Sequence, residues 1–214
     1  LYNLQNRNCM TTTDEKKEKQ LIRIISWSFY ISVLAAVISW FFAPDFSVDP
    51  PKINEIGLLL GQLQTSLVIL GCTALGIKLT EEKKTLASIG FTMMAITQGV
   101  IFVLYVVAPE PSKENLDEVY KLFTATIFLL VPSMSLIAFF SEFPRWVNLL
   151  GMVAILPWIG EISLYFASHK LSDTVGMMDF IGQLMMNTTV SSWAYFTWKR
   201  STASSSKINA GQTV

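Results

Sequence analysis

Charged residues fall in clumps along this chain, and the stretches between the clumps are long. No charge occurs from Ile24 to Pro44, from Ile56 to Ile77, from Thr85 to Pro109, from Leu122 to Ser141, or from Phe180 to Trp198. A sixth stretch, Trp146 to Ser168, holds a single charge, Glu161. A helix needs about 20 mostly apolar residues to cross a hydrocarbon core of roughly 30 Å. Each stretch meets that length or comes within a residue of it. The runs are continuously apolar rather than alternating, which argues against a transmembrane barrel. They also lack the polar face that helices packed in a soluble core would carry. The pattern predicts an all-α integral membrane bundle of six transmembrane helices, at approximately 24–43, 56–77, 86–108, 120–140, 147–167 and 176–198.

The breaks between these runs carry stop chemistry. Ala43-Pro44-Asp45 ends the first helix and Asp49-Pro50-Pro51 stiffens the loop after it. Lys78 to Lys84 separates the second and third helices. Pro109-Glu110-Pro111-Ser112 ends the third and opens the longest loop, which is acidic. Glu142 to Arg145 and His169 to Asp173 read as tight turns. Residues 1–20 form a polar N-terminal tail, 21–200 the six-helix transmembrane domain, and 201–214 a Ser/Thr-rich tail read as disordered. Met10 before three threonines reads as a natural start, with residues 1–9 an upstream remnant. The first apolar run lacks a small-x-small cleavage site and is read as a retained helix.

Basic residues divide unequally between the two sides. Arg7, Lys16, Lys17, Lys19, Arg23, Lys78, Lys83, Lys84, Arg145, Lys199, Arg200 and Lys207 fall on one side. Only Lys52, Lys113, Lys121 and Lys170 fall on the other, where the acidic residues gather. The positive-inside rule places both termini in the cytoplasm, in a plasma membrane or a bacterial inner membrane.

Composition narrows the function classes. Of 214 residues, 51% are hydrophobic and 15% charged, against roughly 25% charged in an ordinary soluble domain. Lys plus Arg equals Asp plus Glu at 16 each, so no basic excess points to nucleic acid. Mean hydropathy is +0.44, which excludes a disordered chain. Cys9 and Cys72 make no disulfide framework, and His169 as the only histidine excludes haem held between histidine pairs. Every lysine lies at a helix end or in a loop, so a retinal Schiff base has no anchor. No phosphate-binding loop, zinc-protease or nucleophile-elbow motif occurs. The expectation is no cofactor and no metal.

What remains is the set of polar residues inside the apolar runs. Glu161 lies roughly 10 Å deep at 1.5 Å per residue, with Gln62 and Gln183 at about the same level and Gln98 nearer the middle. Asp179, Gln183 and Asn187 follow i, i+4, i+8 down one helix. Trp158, Glu161 and Tyr165 follow i, i+3, i+7, an acid flanked by aromatic rings. Pro157 cannot donate to the Val153 carbonyl and is expected to bend its helix just before Glu161, as Pro132 does in the fourth. A charge near the bilayer middle costs on the order of 2.5–3.5 kcal/mol on the lenient insertion scale. Glu161 is therefore expected to be protonated, hydrated through a cavity, or paired with a bound cation. The plainer reading makes it a structural hydrogen-bond partner, with Gln98 and Asn187 as helix–helix glue and Gly57 and Gly61 a packing seam.

These residues predict a polar pocket in the non-cytoplasmic half that binds or transports a small polar or cationic solute, proton-linked through Glu161. Its lining is Glu161, Trp158, Tyr165, Gln62, Gln98, Gln183, Asp179 and Asn187. Two alternatives stand beside it: a non-enzymatic membrane subunit or scaffold in a homo- or hetero-oligomer, and an intramembrane lipid-modifying enzyme using Glu161 and Asp179. The lipid bilayer is the partner common to all three.

Overall fold

Seven helical segments follow one another: α1 (Thr12–Trp40), α2 (Glu55–Glu81), α3 (Thr85–Val107), α4 (Leu116–Phe140), α5 (Arg145–Val153), α6 (Ile155–Ser168) and α7 (Asp173–Gly211). The computed structural model describes residues 12–42, 54–107, 116–168 and 173–211. Met10, the Asp49-Pro50-Pro51 loop, most of the acidic Glu110–Glu118 loop and His169 lie outside the described residues. Five helices are long and apolar enough to cross a membrane: Lys17–Trp40, Glu55–Glu81, Thr85–Val106, Asp117–Phe140, and α5 with α6 as Arg145–Ser168. The protein is an all-α, multi-pass membrane protein. α7 has the length but is not among the five, because Gln183, Asn187, Thr188, Thr189, Ser191, Ser192 and Thr197 interrupt its apolar surface.

The helices overrun the apolar boundaries. α1 begins at Thr12, inside the polar segment read as tail, and α7 continues through Ser201 to Gly211. Hydrocarbon thickness sets the minimum length of a spanning helix and places no limit on its continuation into water. The α1 start is rich in Glu and Lys, which are good helix formers.

Burial is distributed as lipid would require. Trp27, Leu34, Phe41, Phe128, Phe139, Leu149 and Leu156 are exposed, while Ser26, Ser32, Thr97, Thr126, Ser133, Glu161 and Thr189 are buried. Water would reverse that preference. With no hydrophobic force between helices in hydrocarbon, close approach of small residues and hydrogen bonds hold them together. The Ser26 hydroxyl donates to the Ala194 carbonyl at 3.3 Å, joining α1 to α7. Ser88 donates to the Gly76 carbonyl at 2.8 Å, and Ser133 to the Gly90 carbonyl at 2.8 Å. These bonds join α2 to α3 and α3 to α4. In the resulting arrangement α2 lies between α1 and α3, α4 follows α3, and α7 returns to pack on α1, α5 and α6.

The fifth apolar run is two helices, and Pro157 supplies the reason. Without an N–H it cannot donate to the Val153 carbonyl, and the helix is interrupted there, at Ala154. Pro132, by contrast, sits inside an α4 that runs unbroken to Phe140.

α2 ends in a Schellman motif. The Lys84 N–H donates to the Leu79 carbonyl at 2.8 Å and the Lys83 N–H to the Thr80 carbonyl at 2.9 Å. Lys83 takes the left-handed position, φ 60°, that glycine usually fills.

Two stability predictions follow from this packing. Replacing Lys83 by glycine relieves about 1 kcal/mol of backbone strain and raises the thermal midpoint in detergent. A Cβ at Gly71 would lie 2.6 Å from the fully buried Phe29 ring, whereas one at Gly99 meets nothing within 4 Å. Gly71→Ala is therefore expected to destabilise by about 1–3 kcal/mol. Gly99→Ala is expected to leave stability unchanged or improve it by up to about 1 kcal/mol, measured by the same melting curves.

Candidate functional site

The start of α4, α6 and the start of α7 meet at one end of the bundle. Glycines let α6 and α7 close on each other there. A Cβ at Gly160 would sit 2.8 Å from the Met178 sulfur, and one at Gly182 would sit 2.6 Å from the Trp158 indole nitrogen. This close packing fixes Trp158, and through it the level of Glu161 one turn further along α6.

Glu161 is buried, only 7% exposed. The Tyr120 hydroxyl, from α4, donates to Glu161 Oε1 at 3.0 Å. The Tyr120 ring stacks on Tyr165 with centroids 3.7 Å apart and planes 7° from parallel. The Tyr165 hydroxyl donates to Asp117 Oδ1 at 2.5 Å. Across the seam, Trp158 Nε1 donates to Asp179 Oδ1 at 3.1 Å, and Gln183 also hydrogen-bonds Asp179. Phe123 sets its ring edge-on to both Tyr120 and Trp158. Glu161 and Asp179 lie within electrostatic range of each other, and Tyr105 of α3, its ring against Gly61, lies within range of Asp179.

Glu161 Oε2 is buried and has no hydrogen-bond partner among the described residues. No ion pair reaches Glu161 or Asp179 among them either. Lys121, next in sequence to Tyr120, is exposed. Among the described residues no group of three acidic, histidine or cysteine side chains could hold a metal. The site is thus two acids in an aromatic frame, with one acceptor oxygen left open.

Of the residues singled out from sequence, the structure brings Glu161, Trp158, Tyr165, Asp179 and Gln183 together. Gln62 and Gln98 are half-buried on α2 and α3, and α2 packs on neither α6 nor α7. Asn187 is buried, its amide nitrogen without a partner among the described residues. An i, i+4 step turns about 40° around a helix, so Asn187, two such steps from Asp179, lies about 80° around α7 from it. Tyr120, Asp117, Phe123 and Tyr105 are not among the residues singled out from sequence. The signal was present in α4, where Asp117, Tyr120 and Phe123 recur every third residue.

The opposite end is closed by charge and by rings. Glu18 of α1 pairs with Lys78 of α2 at 2.8 Å, and Lys78 with Glu82 at 3.1 Å. Glu82 pairs with Lys84 at 2.5 Å, Lys84 with Glu142 at 2.9 Å, and Glu142 with Arg200 of α7 at 3.3 Å. Beneath this ladder Trp193, fully buried, meets Phe91 at 5.0 Å, Phe29 at 6.0 Å and Phe143 at 6.3 Å between ring centroids. The Trp193 indole nitrogen and the Thr197 hydroxyl are buried here without hydrogen-bond partners among the described residues.

Two ladder groups lie beyond the spanning segments and titrate in opposite senses. Burial raises the Glu82 carboxyl, but hydrogen bonds from Lys84 and Lys78 outweigh it and hold the group below its ordinary 4.5. Burial lowers the Lys84 ammonium, but hydrogen bonds to Glu82 and Glu142 outweigh it and hold it above 10.5. Glu82 therefore contributes stability above 4.5 that is lost as pH falls through its folded value. Lys84 contributes stability below 10.5 that is lost as pH rises through its folded value. The contribution of this pair to melting curves across pH is expected to be level between those limits. Both declines shrink at high salt, since these pairs are partly exposed.

Comparison with known protein families, curated proteins and solved structures finds no match to this chain.

Proposed function

We propose that the protein binds, and carries across the membrane, a small polar or cationic solute, in a site centred on Glu161 and coupled to protons through that acid. The observation that carries the reading is the buried Oε2 of Glu161, left without a partner among the described residues beside a second acid. An unsatisfied acid inside hydrocarbon is a cost that packing alone does not repay, and such residues mark solute and proton paths in membrane proteins. The groups facing Glu161 are Tyr120 from α4, Tyr165 on its own helix and Asp179 from α7, with Asp117 behind Tyr165. None of them is basic.

In this reading α7 is the sixth span. Of its polar residues Asn187, Thr189 and Thr197 are buried and Gln183, Ser191 and Ser192 half-buried, with Thr188 exposed, so most of the polarity that lowers its apolar average is turned from lipid. Both termini are cytoplasmic, on the strength of the basic-residue asymmetry, in a plasma or bacterial inner membrane. The acidic site then opens to the outside and the ionic ladder lies inside. Passage inward requires the ladder and the Trp193 ring cluster to part, and the α5–α6 break gives α6 freedom to tilt. Broken helices beside a solute site are a recurrent device of transporters.

The test is binding to purified protein in detergent, read as a thermal shift with a panel of small amines, amino acids and polyols over a range of pH. At least one class is expected to stabilise the wild type with a pH-dependent midpoint. Glu161→Gln is expected to abolish the shift and its pH dependence. A wild type that no panel member stabilises, or a variant that keeps the same shifts at every pH, would overturn the proposal.

A further inference from the structure

The two oxygens of Glu161 are not equivalent, and the difference selects among solutes. Oε1 accepts from Tyr120, while Oε2 is buried and open. The donors around the acid are committed: the Tyr120 hydroxyl to Glu161, the Tyr165 hydroxyl to Asp117, and the Trp158 indole N–H to Asp179. What the site offers a ligand is therefore an acceptor under the field of two acids, framed by the rings of Tyr120, Tyr165, Trp158 and Phe123.

Resting on the solute-binding reading above, we propose that the ligand is an organic ammonium that retains at least one N–H, which it donates to Glu161 Oε2. Each competing class lacks one of these features. A neutral polyol brings acceptors as well as donors, and finds the nearby O–H and N–H groups already spent. An inorganic cation needs a shell of oxygen ligands, where this site presents ring carbons and fewer than three acidic ligands. A quaternary ammonium suits the aromatic faces through cation–π attraction but has no proton to give Oε2. Only a protonated amine meets the charge, the rings and the open acceptor together, through a charge-assisted bond stronger than a neutral one. Asp179 contributes its field, and its carboxylate already accepts from Trp158 and Gln183.

The test compares probes on one folded protein. Full-length wild type in detergent is titrated with methylammonium, dimethylammonium, trimethylammonium and tetramethylammonium chlorides, with sodium chloride and glycerol as further arms at matched ionic strength. Intrinsic tryptophan fluorescence, to which Trp158 contributes, and the melting midpoint are read together. The first three ammonium ions are expected to bind. Tetramethylammonium is expected to bind at least about tenfold more weakly than trimethylammonium, about 1.4 kcal/mol. Glu161→Gln is expected to remove that discrimination. Equal affinity for the tri- and tetramethyl ions, or a response to sodium or glycerol alone, overturns the ammonium assignment and leaves the solute site standing. A wild type that responds to none of these probes, nor to the wider panel above, overturns the solute-binding reading itself and this inference with it.

Discussion

An acid placed in hydrocarbon must be answered by something, and in this molecule its neighbours answer only half of it. Tyr120 holds one oxygen of Glu161, the ring of Tyr165 holds Tyr120 in place, and Asp117 holds Tyr165. This chain of contacts runs from the start of α4 into the bundle and fixes the acid without neutralising it. Trp158, fixed by the Gly182 contact and by Asp179, closes the other side. A frame this well determined around an oxygen that remains open is hard to account for by stability alone, since an apolar residue there would pack at lower cost.

The two ends of the bundle are built from different chemistry. At the acidic end, hydrogen bonds between aromatic side chains and carboxylates leave a net demand for positive charge. At the other end, acids and bases alternate from Glu18 to Arg200, so that each charge has a partner of opposite sign. Partly exposed pairs of this kind add little individually. Their placement across α1, α2, the α2–α3 turn, the α4–α5 turn and α7 nonetheless ties together the elements that would have to separate for that end to open. The Schellman turn matters here, because it is the turn that sets Glu82 and Lys84 between Lys78 and Glu142.

α7 joins the two ends and reconciles its composition with its position. Thr188, Thr189 and Ser192 satisfy their hydroxyls on carbonyls four residues back in their own helix. Thr197, one of the four buried side-chain groups without a partner among the described residues, does not. The Trp193 indole, fully buried one turn before it, likewise has no partner among them. A helix with so many polar positions lowers its apolar average while remaining packed against α1, α5 and α6.

The chain itself determined the spacing of the apolar runs, the break at Pro157, and the presence of one acid with no base at its depth. Each is a local property: hydropathy accumulates along a helix, and proline acts on the carbonyl four residues before it. Periodicity also put Trp158, Glu161 and Tyr165 on one face, because residues three and four apart share a helix surface. Which face meets which neighbour was decided only in three dimensions. Tyr120 reached Glu161, and Gln62 did not, because α4 packs on α6 while α2 packs on α1 and α3. Asn187 lies about 80° around α7 from Asp179, because helical twist carries a four-residue repeat around the axis. No pattern within a single helix contains the identity of the helix beside it, and it was that neighbour which left one oxygen of Glu161 bonded and the other open.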